Sequence, residues 1–291
     1  MNPYSRRSFL KAGVAAGALA GASALKAERA AATDWVTLGK SNVKVTRLAF
    51  GTGTFSGQVQ QALGQDGFTR LVRYAYDRGI RFFETSGSYG ESQQMLGTAL
   101  KGLPRDSYRL MSKVTTGTGG DPMKSLEDLR RNSMTDYFDI MLLHWQHEAN
   151  WPTDTLRWQD AILEAQHKQM ILSHGASVHG LPALRQVPET EWLQIAMIRM
   201  NHKGTVMDTE IPDNGGVGNV PEVVEHTRQA KAKGMGVISM KLIGEGRFNH
   251  DDRQKAMRFA FRNAGVDCVT VGYKNNAEID EAVDNLNLAF A

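Results

Sequence analysis

Short apolar runs alternate with amphipathic segments along almost the whole chain. Eight runs read as strands: Thr46 to Phe50, Arg81 to Glu84, Tyr108 to Lys113, Phe138 to His144, Met170 to Ala176, Leu193 to Met200, Gly236 to Lys241 and Cys268 to Val271. The intervening segments have helical periodicity. In the clearest, Phe68, Leu71, Val72, Ala75 and Tyr76 share one face, Asp66 is placed to cap the start, and Gly79 can close the end in the left-handed region. Similar faces occur at residues 125–132, 155–166, 221–233 and 277–290, and a short hairpin is expected from Trp35 to Val45. Eight apolar strands, each followed by a helix, predict an α/β fold: a (β/α)8 TIM barrel with an N-terminal β-hairpin, spanning residues 33–291. The stretch 202–219, rich in glycine, follows the sixth strand and reads either as a surface loop or as a cover over a ligand.

The first 32 residues belong to a different layer. Ser5-Arg6-Arg7-Ser8-Phe9-Leu10-Lys11 precedes an Ala/Gly-rich stretch from Ala12 to Leu25, then Ala30-Ala31-Ala32. A basic start, a weakly apolar middle and a small-residue exit make an export signal that resembles the twin-arginine (Tat) type. The apolar stretch is too short to span roughly 30 Å of hydrocarbon, so a stable membrane anchor is not expected. That resemblance implies the Tat export machinery as a partner and a periplasmic, or otherwise exported, mature protein. The segment holds five Lys/Arg and one Glu, so the formal charge of +3 falls by four to −1 without it. A basic surface for nucleic acid is therefore not indicated. The single Cys268, in an apolar run, reads as a core residue.

Candidate chemistry falls at strand ends. Glu84 ends the second strand and Tyr89 follows it, Lys113 ends the third and His144 ends the fourth, which in a barrel brings all four to one rim. A lysine ammonium stabilises a neighbouring phenolate, and a histidine can orient a substrate oxygen. This is apparatus for protonating a carbonyl while hydride arrives at carbon. Trp145 and Trp151 are candidate walls of an apolar substrate pocket. No metal site is indicated, since His144-Trp145-Gln146-His147 has no cysteine cluster or helical His-Glu-x-x-His beside it.

These segments resemble the aldo-keto reductase family. The likeness is carried by Gly79 to Thr85, Tyr89-Gly90-Glu91-Ser92, Leu96 to Leu100, Ser112-Lys113 and Leu142-Leu143-His144-Trp145. It implies Tyr89 as proton donor, Lys113 and Glu84 as its support, with Glu84 where the family usually has aspartate, and His144 as substrate-orienting residue. It implies NADP as cofactor, with NAD possible, and a small carbonyl or sugar substrate handled by a monomer. The expected cofactor contacts are Gly51 and Thr52 after strand one, Ser177 after strand five, and Met240 and Lys241 at the end of strand seven. Gly244, Gly246 and Arg247 follow them, and Gly272, Lys274 and Glu278 come before and within the last helix. Val178, Met197 and Met240 replace an asparagine, a glutamine and an aromatic residue of the family pattern, beside the Glu84 that replaces aspartate. Those departures leave a rival expectation, a degenerate barrel that binds a ligand or partner.

Overall fold

The computed structural model describes residues 31–117, 119–212 and 216–291. The expected export signal up to residue 30 lies outside them. Ten strands are present: β1 (Trp35–Thr37), β2 (Lys44–Thr46), β3 (Leu48–Gly51), β4 (Phe82–Glu84), β5 (Arg109–Thr115), β6 (Phe138–Gln146), β7 (Ile171–Val178), β8 (Ile195–Arg199), β9 (Gly236–Met240) and β10 (Cys268–Gly272). β3 to β10 form a closed barrel of parallel strands, in sequence order and with β10 paired to β3. The eight predicted strands are thus all present, and the barrel with its hairpin matches expectation. Thr46, expected in the first barrel strand, pairs with Trp35 in the hairpin instead.

Strand alternation sorts side chains between two cores. Leu48, Phe50, Phe83, Leu110, Met141, Leu143 and Val178 point outward to the helices. Ala49, Phe82, Met111, Ile140, Leu142, Ile195, Met197, Ile238 and Cys268 fill the interior. The hairpin residues Leu38, Val43 and Val45 join this interior cluster, so β1 and β2 close the lower end and leave the C-terminal rim for chemistry. The seal depends on Gly236, where an added Cβ would lie 2.6 Å from the Leu38 side chain. Cys268 is fully buried, as expected, and burial pushes its thiol well up in pKa.

Two helix starts differ from the sequence pattern. The helix expected from Asp66 begins at Gly64 without a side-chain cap, and Asp66 lies in its first turn, where its charge still faces exposed N–H groups. The helix expected from Ser125 begins at Pro122, because Asp121 accepts from the Lys124 N–H and proline is pre-shaped for the first helical position. Gly79, at φ 94, follows the first of these helices as predicted. Within the described part of the 202–219 stretch, Met207 and Asp208 are buried and Gly218 donates to the Gly204 carbonyl at 2.8 Å. Ala32 is 1% exposed and donates to Asn287 Oδ1 at 2.8 Å, so the folded body includes a residue assigned by pattern to the export segment. Among the described residues, no helix is long and apolar enough to cross a membrane.

Candidate functional site

Inward-facing positions at the tops of β4, β5 and β6 carry Glu84, Lys113 and His144, one strand apart in barrel order. Lys113 is 1% exposed and Glu84 2%. The Lys113 ammonium is bonded to Glu84 Oε1, and it also donates to the Thr85 carbonyl at 3.0 Å and reaches the Tyr89 hydroxyl at 3.1 Å. All three ammonium protons therefore have acceptors, which is what a buried lysine requires. Burial lowers its pKa, against the opposing pull of Glu84.

Tyr89 differs from the simple expectation that lysine lowers its pKa. Burial, reinforced by the carboxylates of Glu84 and Glu245, pushes the phenol well above its ordinary value. Glu84 claims much of the Lys113 charge, so the phenol rests protonated, the form needed in a proton donor, with the ammonium already beside the oxygen that would turn anionic. Gly53 fixes its place: an added Cβ there would lie 2.6 Å from Tyr89 Cζ and 2.7 Å from its oxygen. Gly53 was not singled out in the sequence, although its spacing in Gly51-Thr52-Gly53 was visible.

His144 Nδ1 lies 2.9 Å from Ser86 Oγ and 3.0 Å from Ser88 Oγ. A serine hydroxyl donating to Nδ1 leaves the imidazole proton on Nε2, the nitrogen directed away from the serines. Burial, then the charges of Lys113 and Lys241, drive its pKa well below the ordinary value, so the ring is neutral. The imidazole meets the Tyr89 ring edge-on, with centroids 5.5 Å apart. Ser86 and Ser88, missed in the sequence, sit in the same loop as Tyr89.

From Tyr89 a cavity of about 400 Å³ runs along the ends of β9 and β10 to the helix Asn276–Ala289. Of the expected cofactor contacts, Gly51, Met240, Lys241, Gly246, Gly272, Lys274 and Glu278 line it, together with Glu84 and Tyr89. Met197 also lines it. Thr52, Ser177, Gly244 and Arg247 do not form its wall. Ser177 accepts the Trp145 N–H at 3.2 Å, Gly244 packs under Phe248, and Arg247 is exposed. The guanidinium in the wall belongs instead to Arg253, in a two-pronged pair with Glu281 at 2.7 and 2.8 Å. Nothing in the linear pattern joined those two residues, which lie on different helices.

Two further expectations change. Trp151 is 2% exposed, and its indole donates to the Ala183 carbonyl at 3.2 Å. It is a core residue and forms no pocket wall. Trp145 is 44% exposed at φ 58 and lies against the His147 ring, outside the cavity wall. At the last helix the Glu278 N–H is already taken by Asn275, and Glu278 in turn accepts from the Lys274 N–H just before the helix, each at 3.0 Å. Among the described residues, no cluster of His, Cys, Asp or Glu is placed to hold a metal ion.

Comparison with known proteins covers the same part of the chain. The chain matches the aldo/keto reductase family over residues 47–286, and the twin-arginine translocation pathway signal sequence over residues 3–23. It is 34% identical over 98 residues to the protein named probable aldo-keto reductase 1 of Glycine max, spanning 32% of this chain and 27% of that one. It is 26% identical over 227 residues to L-galactose dehydrogenase of Arabidopsis thaliana, spanning 72% of this chain and 65% of the other. The matches thus cover less than two thirds of each relative's length. Among solved structures, an aldo-keto reductase of Bacillus halodurans in its holo form superposes with a TM-score of 0.69 at 18% identity, covering 88% of this chain and 95% of the other. A Klebsiella pneumoniae aldo-keto reductase in complex with NADPH gives 0.65 at 17%, covering 87% and 89%. With a closed parallel barrel, and a family match over most of its length, this chain belongs to the aldo/keto reductase family.

Proposed function

We propose that the protein interconverts a small aldehyde or ketone and its alcohol with a nicotinamide dinucleotide. The observation that carries the reading is the 3.1 Å approach of Lys113 Nζ to the Tyr89 hydroxyl, at one end of a cavity long enough for an extended ligand. The cavity fits such a cofactor on its own chemistry. Met197 and Met240 offer polarizable apolar surface to a flat ring near Tyr89. Thr270 Oγ1 and the Tyr273 hydroxyl are buried in residues of the wall and lack hydrogen-bond partners, leaving polar groups to spare. Gly246, at φ 84, has open space where a Cβ would stand, and Lys241, Arg253 and Lys274 supply positive charge for phosphates. NADP is the favoured form because Lys274, at the far end, can meet a ribose phosphate.

When bound, the nicotinamide supplies or accepts the hydride. The chain's residues do the rest. His144 donates through Nε2–H to the carbonyl oxygen and holds it toward Tyr89. Tyr89 gives its proton to that oxygen, and Lys113 stabilises the phenolate that remains, while Glu84 keeps the lysine in place. In the reverse direction the phenolate removes the alcohol proton. A second reading, a ligand-binding barrel without turnover, is favoured by two observations: Ser177 lies outside the cavity wall and accepts the Trp145 N–H, and Met197, which lines the cavity, has no amide to offer a carboxamide. Fluorescence titration of the purified mature domain with NADPH and NADH, followed by turnover on a panel of carbonyls and sugars, separates the two. Saturable binding with turnover supports the reductase; saturable binding without turnover supports the rival.

The twin-arginine match supports export of the folded protein across a membrane, and we place the mature enzyme in the periplasm as a monomer of residues 33–291 or slightly longer. The burial of Ala32 favours removal of the export segment upstream of that residue. Mass spectrometry of the exported protein tests it.

A further inference from the structure

The reductase reading leaves a buried basic cluster beside His144 without a role. His179, just beyond β7, is 7% exposed, and Arg199, at the end of β8, is 3% exposed. A guanidinium nitrogen of Arg199 lies 2.5 Å from His179 Nδ1. A guanidinium can only donate, so Nδ1 accepts and the His179 proton sits on Nε2. Nε2 faces Ser177 Oγ at 3.5 Å, the oxygen that also accepts the Trp145 N–H at 3.2 Å. Asp208 lies 3.8 Å from the Arg199 guanidinium and offsets its charge within the fold.

The position of Trp145 gives this chain of contacts its importance. The pairing of β6 with β7 loses register between Leu143 and Gln146, and Trp145 takes a left-handed φ of 58. His144 is the residue immediately before that kink. The Ser177 hydroxyl replaces the acceptor that a regular ladder would have offered Trp145. His144 is also bounded by rings: Tyr89 edge-on at 5.5 Å, and His179 edge-on at 6.2 Å and 73°. The polar groups around the two imidazoles are Arg199 and Asp208 from β8 and the loop after it, and Ser177 from β7. Ser86 and Ser88 come from the loop after β4, Lys113 from β5 and Lys241 from the end of β9.

We infer that His179 and Arg199 are positioning residues for His144. Arg199 locks the tautomer of His179, and His179 with Ser177 holds the kinked strand end that aims the His144 ring. The kinetic consequence rests on the reductase reading; the structural consequence does not.

Four variants of the full chain test this. His179→Gln retains an acceptor for Arg199 and a donor for Ser177, whereas His179→Phe retains a ring and neither bond. Arg199→Met removes the donor, and Arg199→Lys keeps the cation with its donors on one nitrogen in place of the planar fork. His179→Phe and Arg199→Met are expected to lose about 10-fold in kcat with nucleotide KM unchanged, and His179→Gln to recover to within about 3-fold of the parent, because small misplacements of a reacting group are costly. In 15N-histidine spectra recorded without substrate, the His144 ring nitrogens should shift in the Phe and Met variants and return toward the parent in the Gln variant. If circular dichroism shows the Met variant unfolded, Arg199→Lys is expected to show the same shift in smaller size. His144 resonances unchanged in the folded variants overturn the inference. A parent that reduces no carbonyl would sink the reductase reading, while the spectra still decide the positioning.

Discussion

At the Tyr89 end of the cavity, functional side chains stand on barrel strands or in the first loop beyond them, and the Glu84–Lys113 pair is 3% and 1% exposed. At the far end, Arg253–Glu281 and Lys274–Glu278 stand on helices and the loop before one, with exposures of 30% and 24%, and 63% and 35%. A buried pair cannot exchange partners without leaving a charge stranded, so the first end is rigid. The exposed Lys274–Glu278 pair is worth only about 0–1 kcal/mol, and the half-buried Arg253–Glu281 pair is open to solvent on one side, so a ligand anion can take over either cation at lower cost than at the buried end. One end is thus suited to placing a proton, and the other to capturing and releasing a charged molecule.

The sharpest break in this comparison is Tyr89→Phe. It should lower carbonyl reduction by at least about 10²-fold, the scale of a lost general acid, and leave nucleotide binding intact. Turnover and titration on the same sample check both halves; unchanged turnover removes Tyr89 from the mechanism. Gly53→Ala comes next. The added methyl would push the phenol from Lys113, and a misplacement of about 1 Å should reduce kcat by about 10²-fold with the fold retained, as read by circular dichroism and kinetics.

At the far end the expected effects are smaller and fall on affinity. Arg253→Met should weaken nucleotide binding about 10-fold with kcat unchanged, whereas Glu281→Gln, which frees the guanidinium, should tighten it about 3-fold. Equal and unchanged dissociation constants in both variants would mean that this end does not meet the phosphates.

The smallest effect concerns stability. His144 and His179 have pKa values driven well below 6.5 by burial, so below that pH the unfolded chain takes up protons that the folded chain refuses. Stability therefore rises with pH through this window and is lost on acidification. Each such group contributes a slope of at most about 1.4 kcal/mol per pH unit. Urea denaturation between pH 5 and 7 should show a shallower slope in His179→Gln than in the parent, and identical slopes would place a proton on the native ring.

The strand-borne end was legible because a barrel with period-two alternation sends every second residue inward, and Glu84, Lys113 and His144 occupy such positions in consecutive strands. Trp151 shows the limit of that reasoning. It is only seven positions from His144, but the chain turns into a short helix that buries its indole against Ala183. Arg247 and Arg253 show it again: the turn after β9 leaves the nearer arginine exposed, and a helix brings the farther one to Glu281. Gly53 was visible as a glycine, but the phenol that requires it comes from another loop.

Hydrophobic periodicity alone determined the number of strands, their parallel closure and the rim on which Tyr89, Lys113 and His144 meet, because burial of every second side chain admits one inside and one outside. Which neighbours those groups acquired was decided by tertiary structure: the glycine against Tyr89, the serines on His144 and the Arg199–His179 contact behind it. Such contacts depend on distances across elements far apart in the chain, and a pattern read along one strand carries no measure of those distances.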